Sequence, residues 1–389
     1  MKKQRVLILS ASVGAGHLRA AAALEHAFQE IGEEHEVRHL DTLDYATTTL
    51  RAVYSKAYSY AARRLPVITG WLFHAFDQPW RPSPLRQAFV RLNTKRFVVM
   101  LRDYKPDIAV CTHFLPAEIL SGLAESDTLA IPYFVVITDF EVHAMWLSRH
   151  CERYFVATDE SRAHLESLGI TNDRITVTGI PIDPVFSAPK DNCDIRRKYD
   201  LDVDRPTILV SGNRLRLATL ETTVASLATL PREVQVIVIC GRRPELCSRV
   251  AQMAAPLYIG SSVKFKIVGF VNDMDQLMSA SDVLVGRPGG LLTAEALASG
   301  LLFVIVSPIP GQEERNADYL LEENAAIRCN DPSLLAYKIE RLLSDQSRSE
   351  FMKKNVARIA RPRAAFDVID TLLRLANTRG ISAPGCLLN

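Results

Sequence analysis

Two short stretches carry the residue types that hold an anion. In Val285-Gly286-Arg287-Pro288-Gly289-Gly290-Leu291-Leu292-Thr293-Ala294-Glu295-Ala296, an apolar strand over 282–285 breaks at Pro-Gly-Gly and restarts as a helix over 291–299, ended by Gly300. Such a corner presents unpaired backbone N–H groups and the positive end of a helix dipole, which suits a phosphate. Glu295, one turn in, is placed to reach an adjacent sugar hydroxyl. A tight strand-to-helix turn with no ligand is the plain alternative. The second stretch, Pro308-Ile309-Pro310-Gly311-Gln312-Glu313-Glu314-Arg315-Asn316, follows the strand 301–306. Consecutive strand–loop–helix corners of a parallel sheet open on one edge, where ligands of such sheets sit.

Near the N-terminus, Gly14-Ala15-Gly16-His17 lies between a strand over 5–10 and an alanine-rich helix over 17–31. The spacing is not the G-x-G-x-x-G of dinucleotide folds. It sets an imidazole on the first turn of a helix, where the dipole favours the neutral form that a general base needs. A histidine that caps the helix or meets solvent is the competing reading. Asp139 and His143 come just after a strand over 132–137, and Asp139 is a second candidate base.

These corners need strands and helices in alternation to position them, and the chain supplies them. Further strands are read over 36–40, 107–111, 153–157, 175–178, 207–210, 235–240, 264–268 and 325–327, with closing helices over 332–343, 350–360 and 364–376. Alternation predicts an α/β protein with doubly wound parallel sheets covered on both faces. The run Gly179-Ile180-Pro181-Ile182-Asp183-Pro184 reads as a hinge. The expected division is an N-terminal domain over 1–183, a C-terminal domain over 184–363 and a helix with a tail over 364–389, the two domains facing a central cleft.

Composition excludes several classes. The 389 residues carry a formal charge of only +2, which gives no general pull toward nucleic acid. The seven cysteines include no C-x-x-C pair, which reads as a reducing compartment and not a disulfide or zinc framework. No metal site is expected. No apolar run is long enough to span a bilayer. Between Arg51 and Lys105, however, eleven basic residues face two acidic ones, a local excess of +9, with Trp71, Trp80 and other aromatics interleaved. Arg63, Arg64, Trp71 and Trp80 thus become candidates for contact with an anionic membrane. Core aromatics beside solvated arginines, or a nucleic-acid groove, would give the same composition.

Taken together and in order, the GxGH turn, Ile137-Thr138-Asp139-Phe140 with His143 and Trp146, Tyr154 to Asp159, Thr178 to Ile182, Arg287-Pro288-Gly289-Gly290 with Thr293-Ala294-Glu295-Ala296, and Pro310-Gly311-Gln312-Glu313 with Asn316 resemble one family. It is that of the monogalactosyl- and glucosyl-diacylglycerol synthases, which share the GT-B fold with the transferase that adds GlcNAc to lipid I. The resemblance implies inverting transfer of glucose or galactose from a UDP-sugar to membrane diacylglycerol, with the UDP-sugar as substrate and no cofactor. It implies a cytoplasmic protein, peripheral on the inner face of the cell membrane.

Residue by residue, it implies His17 as the base. Gly289, Gly290, Leu291, Leu292 and Thr293 form the donor phosphate loop, with Glu295 on the ribose, Gln312 and Glu313 on the donor sugar, and Phe270 and Val271 at the uracil. Gly14, Gly16, His143, Trp146 and the basic segment are placed on the acceptor and membrane side. One departure stands out. After the first C-terminal strand the family has a glycine run, whereas this chain has Ser211-Gly212-Asn213-Arg214-Leu215-Arg216. Either Gly212 and Arg214 still serve the diphosphate, the arginines replacing backbone donors, or the site is altered. A related GlcNAc transferase or epimerase, or a homologue without turnover, is the alternative reading.

Overall fold

The structure, a computed structural model, describes residues 3–32, 34–57, 77–80, 84–258 and 262–378. Among these residues twelve strands form two six-stranded sheets, one in each of two compact units. The first holds β1 (Gln4–Ser10), β2 (His35–Asp41), β3 (Ile108–Cys111), β4 (Tyr133–Val136), β5 (Arg153–Val156) and β6 (Ile175–Val177). Its order is β2-β1-β3-β4-β5-β6. The second holds β7 (Thr207–Ser211), β8 (Val234–Ile239), β9 (Val263–Val268), β10 (Val283–Gly286), β11 (Leu302–Val306) and β12 (Ala326–Cys329), in the order β12-β11-β10-β7-β8-β9. All ten strand pairs are parallel. The expected α/β class and doubly wound parallel sheets are therefore present.

The inner strands are near-continuous apolar runs because helices cover both faces of the sheets there, whereas the edge strand β2, His-Glu-Val-Arg-His-Leu-Asp, has no fully buried residue. In β8 every one of Val-Gln-Val-Ile-Val-Ile is buried. On one face of the first sheet, Val6, Ile8, Val110 and Phe134 pack with Ala21, Leu24 and Phe28 of the helix Ala15–Ile31 and with Ala365, Val368, Ile369 and Leu372 of the helix Ala364–Thr378. The first unit accordingly comprises Met1–Pro184, Pro310–Gln312 and Arg361–Asn389, and the second Val185–Ile309 and Glu313–Ala360. The last helix is thus part of the first unit and not an appendage. Gly179, at φ 88°, lies against it: a Cβ there would come 2.4 Å from Arg361 Cβ.

Each sheet has a topological switch point. In the first the chain moves outward from β1 to β2 and then returns to β3 on the other side of β1, with Leu9 level with Cys111. In the second it moves from β7 outward to β9 and returns to β10, with Val210 level with Val285. The loops leaving such neighbours diverge to opposite faces and leave a crevice at the carboxyl ends of the strands.

Side-chain caps set two helix starts, the second of them ahead of the helix read over 350–360. The helix Phe114–Glu125 begins where His113 Nδ1 accepts the Leu115 N–H, and Gln346–Ile359 where Asp345 accepts the Arg348 N–H.

Candidate active site

At the first switch point the carboxyl ends of β1 and β3 meet the helix Ala15–Ile31, whose N-cap is Gly14. His17, half-buried in its first turn, points Nδ1 at the Thr112 carbonyl (3.0 Å) and the Thr138 hydroxyl (2.8 Å). A carbonyl oxygen only accepts, so the proton sits on Nδ1 and Nε2 is the basic nitrogen. The Thr112 hydroxyl donates back to the His17 carbonyl at 3.0 Å. One residue, Thr112, therefore fixes both the ring and the backbone of His17.

Beside it stands His113, 1 % exposed, its ring 4.6 Å from that of His17 and perpendicular to it. Burial, and then the charge His17 can carry, hold the His113 imidazole well below its usual range. It is neutral, and because its Nδ1 accepts from Leu115, its proton is on Nε2. Phe114 and Trp146 complete an aromatic wall, with ring centroids 4.1 Å from His113 to Phe114 and 6.0 Å from His17 to Trp146. His113 escaped the sequence reading. Its only sequence signal is its place directly after the strand that turns out to adjoin β1.

The other first-unit candidates are placed as follows. Asp139, 8 % exposed, follows Thr138, and its Oδ1 accepts from Gln312 Nε2 at 2.7 Å within the same unit. His143 Nδ1 accepts from the Met145 N–H at 3.1 Å, capping the short turn that carries the buried Trp146. Its Nε2 lies 3.9 Å from Asp77, whose Oδ1 also takes the Ala144 N–H at 2.8 Å. Gly14 is extended, and no described atom lies within 4 Å of a Cβ built on it. Gly16 is half-buried in the first turn beside His17.

Arg63, Arg64 and Trp71 lie outside the described residues. Trp80 is tied inward: its Nε1 donates to the Leu168 carbonyl at 3.0 Å and Arg149 stacks on its ring. Phe97 is fully buried. Among the described residues of this segment these two aromatics serve the core, while Leu85, Leu92 and Val99 are exposed among Arg91, Lys95, Arg96 and Arg102.

At the second switch point, Gly286 comes so close to β7 that a Cβ on it would lie 3.1 Å from Ser211 Cβ. The helix Gly290–Ala298 starts at Gly289 with no side-chain cap and no acid in its first turn. Its Leu291, Leu292, Thr293 and Glu295 are buried, Glu295 at 1 % exposure. Gly212 is held under Leu220, 2.9 Å from where its Cβ would be.

Arg214, half-exposed, lays its guanidinium over Gly289, Nη1 being 2.8 Å from a Cβ there. Glu313, 2 % exposed, accepts from Arg214 on Oε1 (3.2 Å) and from Arg287 (2.7 Å) and the Ile309 N–H (2.9 Å) on Oε2. Asn316 Nδ2 holds the Pro288 carbonyl at 3.0 Å, fixing the Pro-Gly-Gly turn. Phe270 is exposed with Arg242 stacked 4.2 Å over its ring, and Val271 follows half-buried. Among the described residues no cluster of His, Cys, Asp or Glu could hold a metal, and no helix is long and apolar enough to cross a membrane.

The chain matches known proteins over most of its length. Residues 17–182 match the family model of monogalactosyldiacylglycerol (MGDG) synthase and residues 191–358 that of glycosyl transferases group 1. The chain is 30 % identical over 378 residues to a processive diacylglycerol beta-glucosyltransferase of Bacillus mycoides, covering 96 % of this chain and 94 % of that one. A protein of the same description from Bacillus cereus is 29 % identical over 385 residues, with the same coverage of both chains.

Among solved structures, MurG of Acinetobacter baumannii aligns with a TM-score of 0.62 at 17 % identity, over 96 % of this chain and 100 % of that one. Anabaena HepE in complex with UDP-glucose aligns at 0.53 and 16 %, over 96 % and 99 %. These likenesses identify the fold as GT-B. With one relative at 30 % identity across nearly its whole length, the chain belongs to the monogalactosyl- and glucosyl-diacylglycerol synthase family of glycosyltransferases.

Proposed function

We propose that this protein transfers a hexose from a UDP-sugar to the hydroxyl of membrane diacylglycerol with inversion. The observation that carries this reading is His17: a half-buried imidazole at a switch point whose Nδ1 proton is held by the Thr112 carbonyl, so that Nε2 is the basic nitrogen of the neutral ring. A diacylglycerol hydroxyl is a poor nucleophile, so a base must take its proton as the glycosidic bond forms. His17 Nε2 takes it. The hydroxyl oxygen then attacks the anomeric carbon and the UDP oxygen leaves with the bonding electrons. A single displacement inverts the anomeric centre. UDP-glucose is an α-glycoside and the Bacillus relatives are named for a beta product, which supports inversion and makes glucose the expected hexose.

The departing diphosphate gathers negative charge. The uncapped N-terminus of Gly290–Ala298, with Gly289, Leu291, Leu292 and Thr293, is the place for it. Glu295 takes the ribose, Gln312 the sugar, and Phe270 and Val271 the uracil. Gly14, Gly16, His143 and Trp146 border the acceptor. The basic segment with exposed Leu85, Leu92 and Val99 docks on the anionic inner face of the cell membrane.

The test is thin-layer analysis of diacylglycerol vesicles incubated with labelled UDP-glucose or UDP-galactose. A labelled glycolipid from UDP-glucose is expected, and product from neither donor would reject the reading. Vesicle binding should rise with anionic lipid and fall with salt. Equal binding to neutral vesicles would remove the docking surface.

A further inference from the structure

Glu313 shares its one carboxylate between two guanidinium groups. Its side chain is 3 % exposed, against 14 % for Arg287 and 48 % for Arg214. A buried carboxylate needs partners, and Glu313 has three: Arg214 on one oxygen, Arg287 and the Ile309 N–H on the other. The pair of arginines is tied together a second time, because Arg287 Nη1 donates to the Arg214 carbonyl at 3.0 Å. Two cations around one anion leave the cluster at +1. The surplus is also visible as a donor: Arg287 Nη2 is buried and has no acceptor among the described residues. A buried guanidinium N–H without an acceptor is costly, unless a ligand completes it.

The place of this surplus matters. Arg214 lies over Gly289, and a Cβ at that position would be 2.8 Å from Nη1 and 3.5 Å from Cζ. Gly289 is the N-cap of Gly290–Ala298, a helix start with neither a capping side chain nor an acid in its first turn. A positive dipole end, an excess guanidinium charge and an open hydrogen-bond donor therefore converge at the carboxyl ends of β7 and β10.

We infer that Glu313 is a positioning residue. It aligns Arg214 and Arg287 on a nucleoside diphosphate, and the two arginines do the charge work that backbone donors of a glycine run do elsewhere. In this account Glu313 acts through the arginines and does not itself hold the donor sugar. The inference rests on the donor site proposed above.

Calorimetry of the full chain with UDP, uridine and UDP-glucose tests it. Glu313→Gln keeps the shape and removes the charge that aligns both arginines. It should weaken UDP by roughly tenfold or more and uridine hardly at all. Arg287→Gln should do the same. Arg214→Gln, at a half-exposed side chain that can be replaced without unfolding, should weaken UDP by roughly three- to tenfold. Paired with Glu313→Gln it should add less than its own effect, because both changes act on one cluster.

If Glu313→Gln leaves UDP unchanged and weakens only UDP-glucose, Glu313 contacts the sugar and the inference is wrong. Tighter UDP binding in Glu313→Gln overturns it too, since the carboxylate would then be competing with the ligand. If wild-type protein binds none of the three, the donor site itself has failed, which is a separate result.

Discussion

The two switch points share a topology and differ in chemistry. In each, the first strand of a sheet and the strand that returns beside it end at one edge. At the first edge, between β1 and β3, the ring of His17 meets neutral groups, among them the Thr112 carbonyl, the Thr138 hydroxyl and an uncharged His113. At the second, between β7 and β10, they are ions: Arg214, Arg287 and Glu313. An ionic surround with one cation in excess holds an anion. In the function proposed above, the same kind of backbone crevice serves a proton at one edge and a diphosphate at the other, according to the few residues at its rim.

The comparison breaks first at His17. His17→Ala should lower kcat by about 10²–10⁴-fold, with UDP affinity in calorimetry close to wild type. Normal turnover in His17→Ala with its loss in Asp139→Asn would move the base to Asp139, and the first edge would no longer be neutral. The next largest effect belongs to the second edge. Glu295→Gln should weaken UDP binding by roughly tenfold or more while far-UV dichroism stays unchanged. Because Glu295 is buried, an unaltered affinity would mean that it serves the fold and not the ribose.

A third test concerns what holds the first edge in place. At Gly179 a Cβ would clash with Arg361 at 2.4 Å, and φ is 88°. Gly179→Ala should cost about 1–3 kcal/mol and lower Tm by several degrees. An unchanged Tm would show that this junction yields freely.

The smallest expected effect is a slope. The unfolded His113 binds a proton below its usual pKa of 6.5, whereas the folded one does not. Stability that is present above that pH is therefore lost as pH falls below it. His113→Asn keeps an N-cap acceptor for Leu115 but removes the titration, so its Tm should fall less between pH 7.5 and about 5.5. An identical fall in both proteins would mean that His113 is not held neutral.

Much of this was legible in the chain. Short runs between helical patterns gave each described strand, with edges shifted by a residue or two; burial on both faces writes the inner strands as uninterrupted hydrophobicity, whereas the mixed edge strands β2 and β9 show only in the alternation. The Pro-Gly-Gly corner and the GxGH turn were legible because a strand that stops at glycine must open onto a helix start.

What was not legible depends on strand order. Thr112 and His113 matter because β3 lies beside β1, and nothing local in Cys111-Thr112-His113 announces that pairing. The cluster of Arg214, Arg287 and Glu313 joins residues 26 and 99 positions apart, through loops of different strands. The aromatics of the basic segment were ambiguous for a related reason. Their alternation with arginine fits a membrane face and a core equally, and only packing shows Phe97 buried and Trp80 tied to Leu168.

The final helix has a consequence for how the protein comes into being. The first unit is written on both sides of the second, with its last core helix, Ala364–Thr378, following the whole of the second unit. As the chain leaves the ribosome, the second unit can close on itself as soon as residue 360 emerges. The first must wait, with the face formed by Ala21, Leu24 and Phe28 lacking the cover of Ala365, Val368, Ile369 and Leu372. The domain synthesised first is thus the one completed last. A fragment ending at Pro184 would carry His17 and every strand of its sheet and still be a partly uncovered, sticky intermediate.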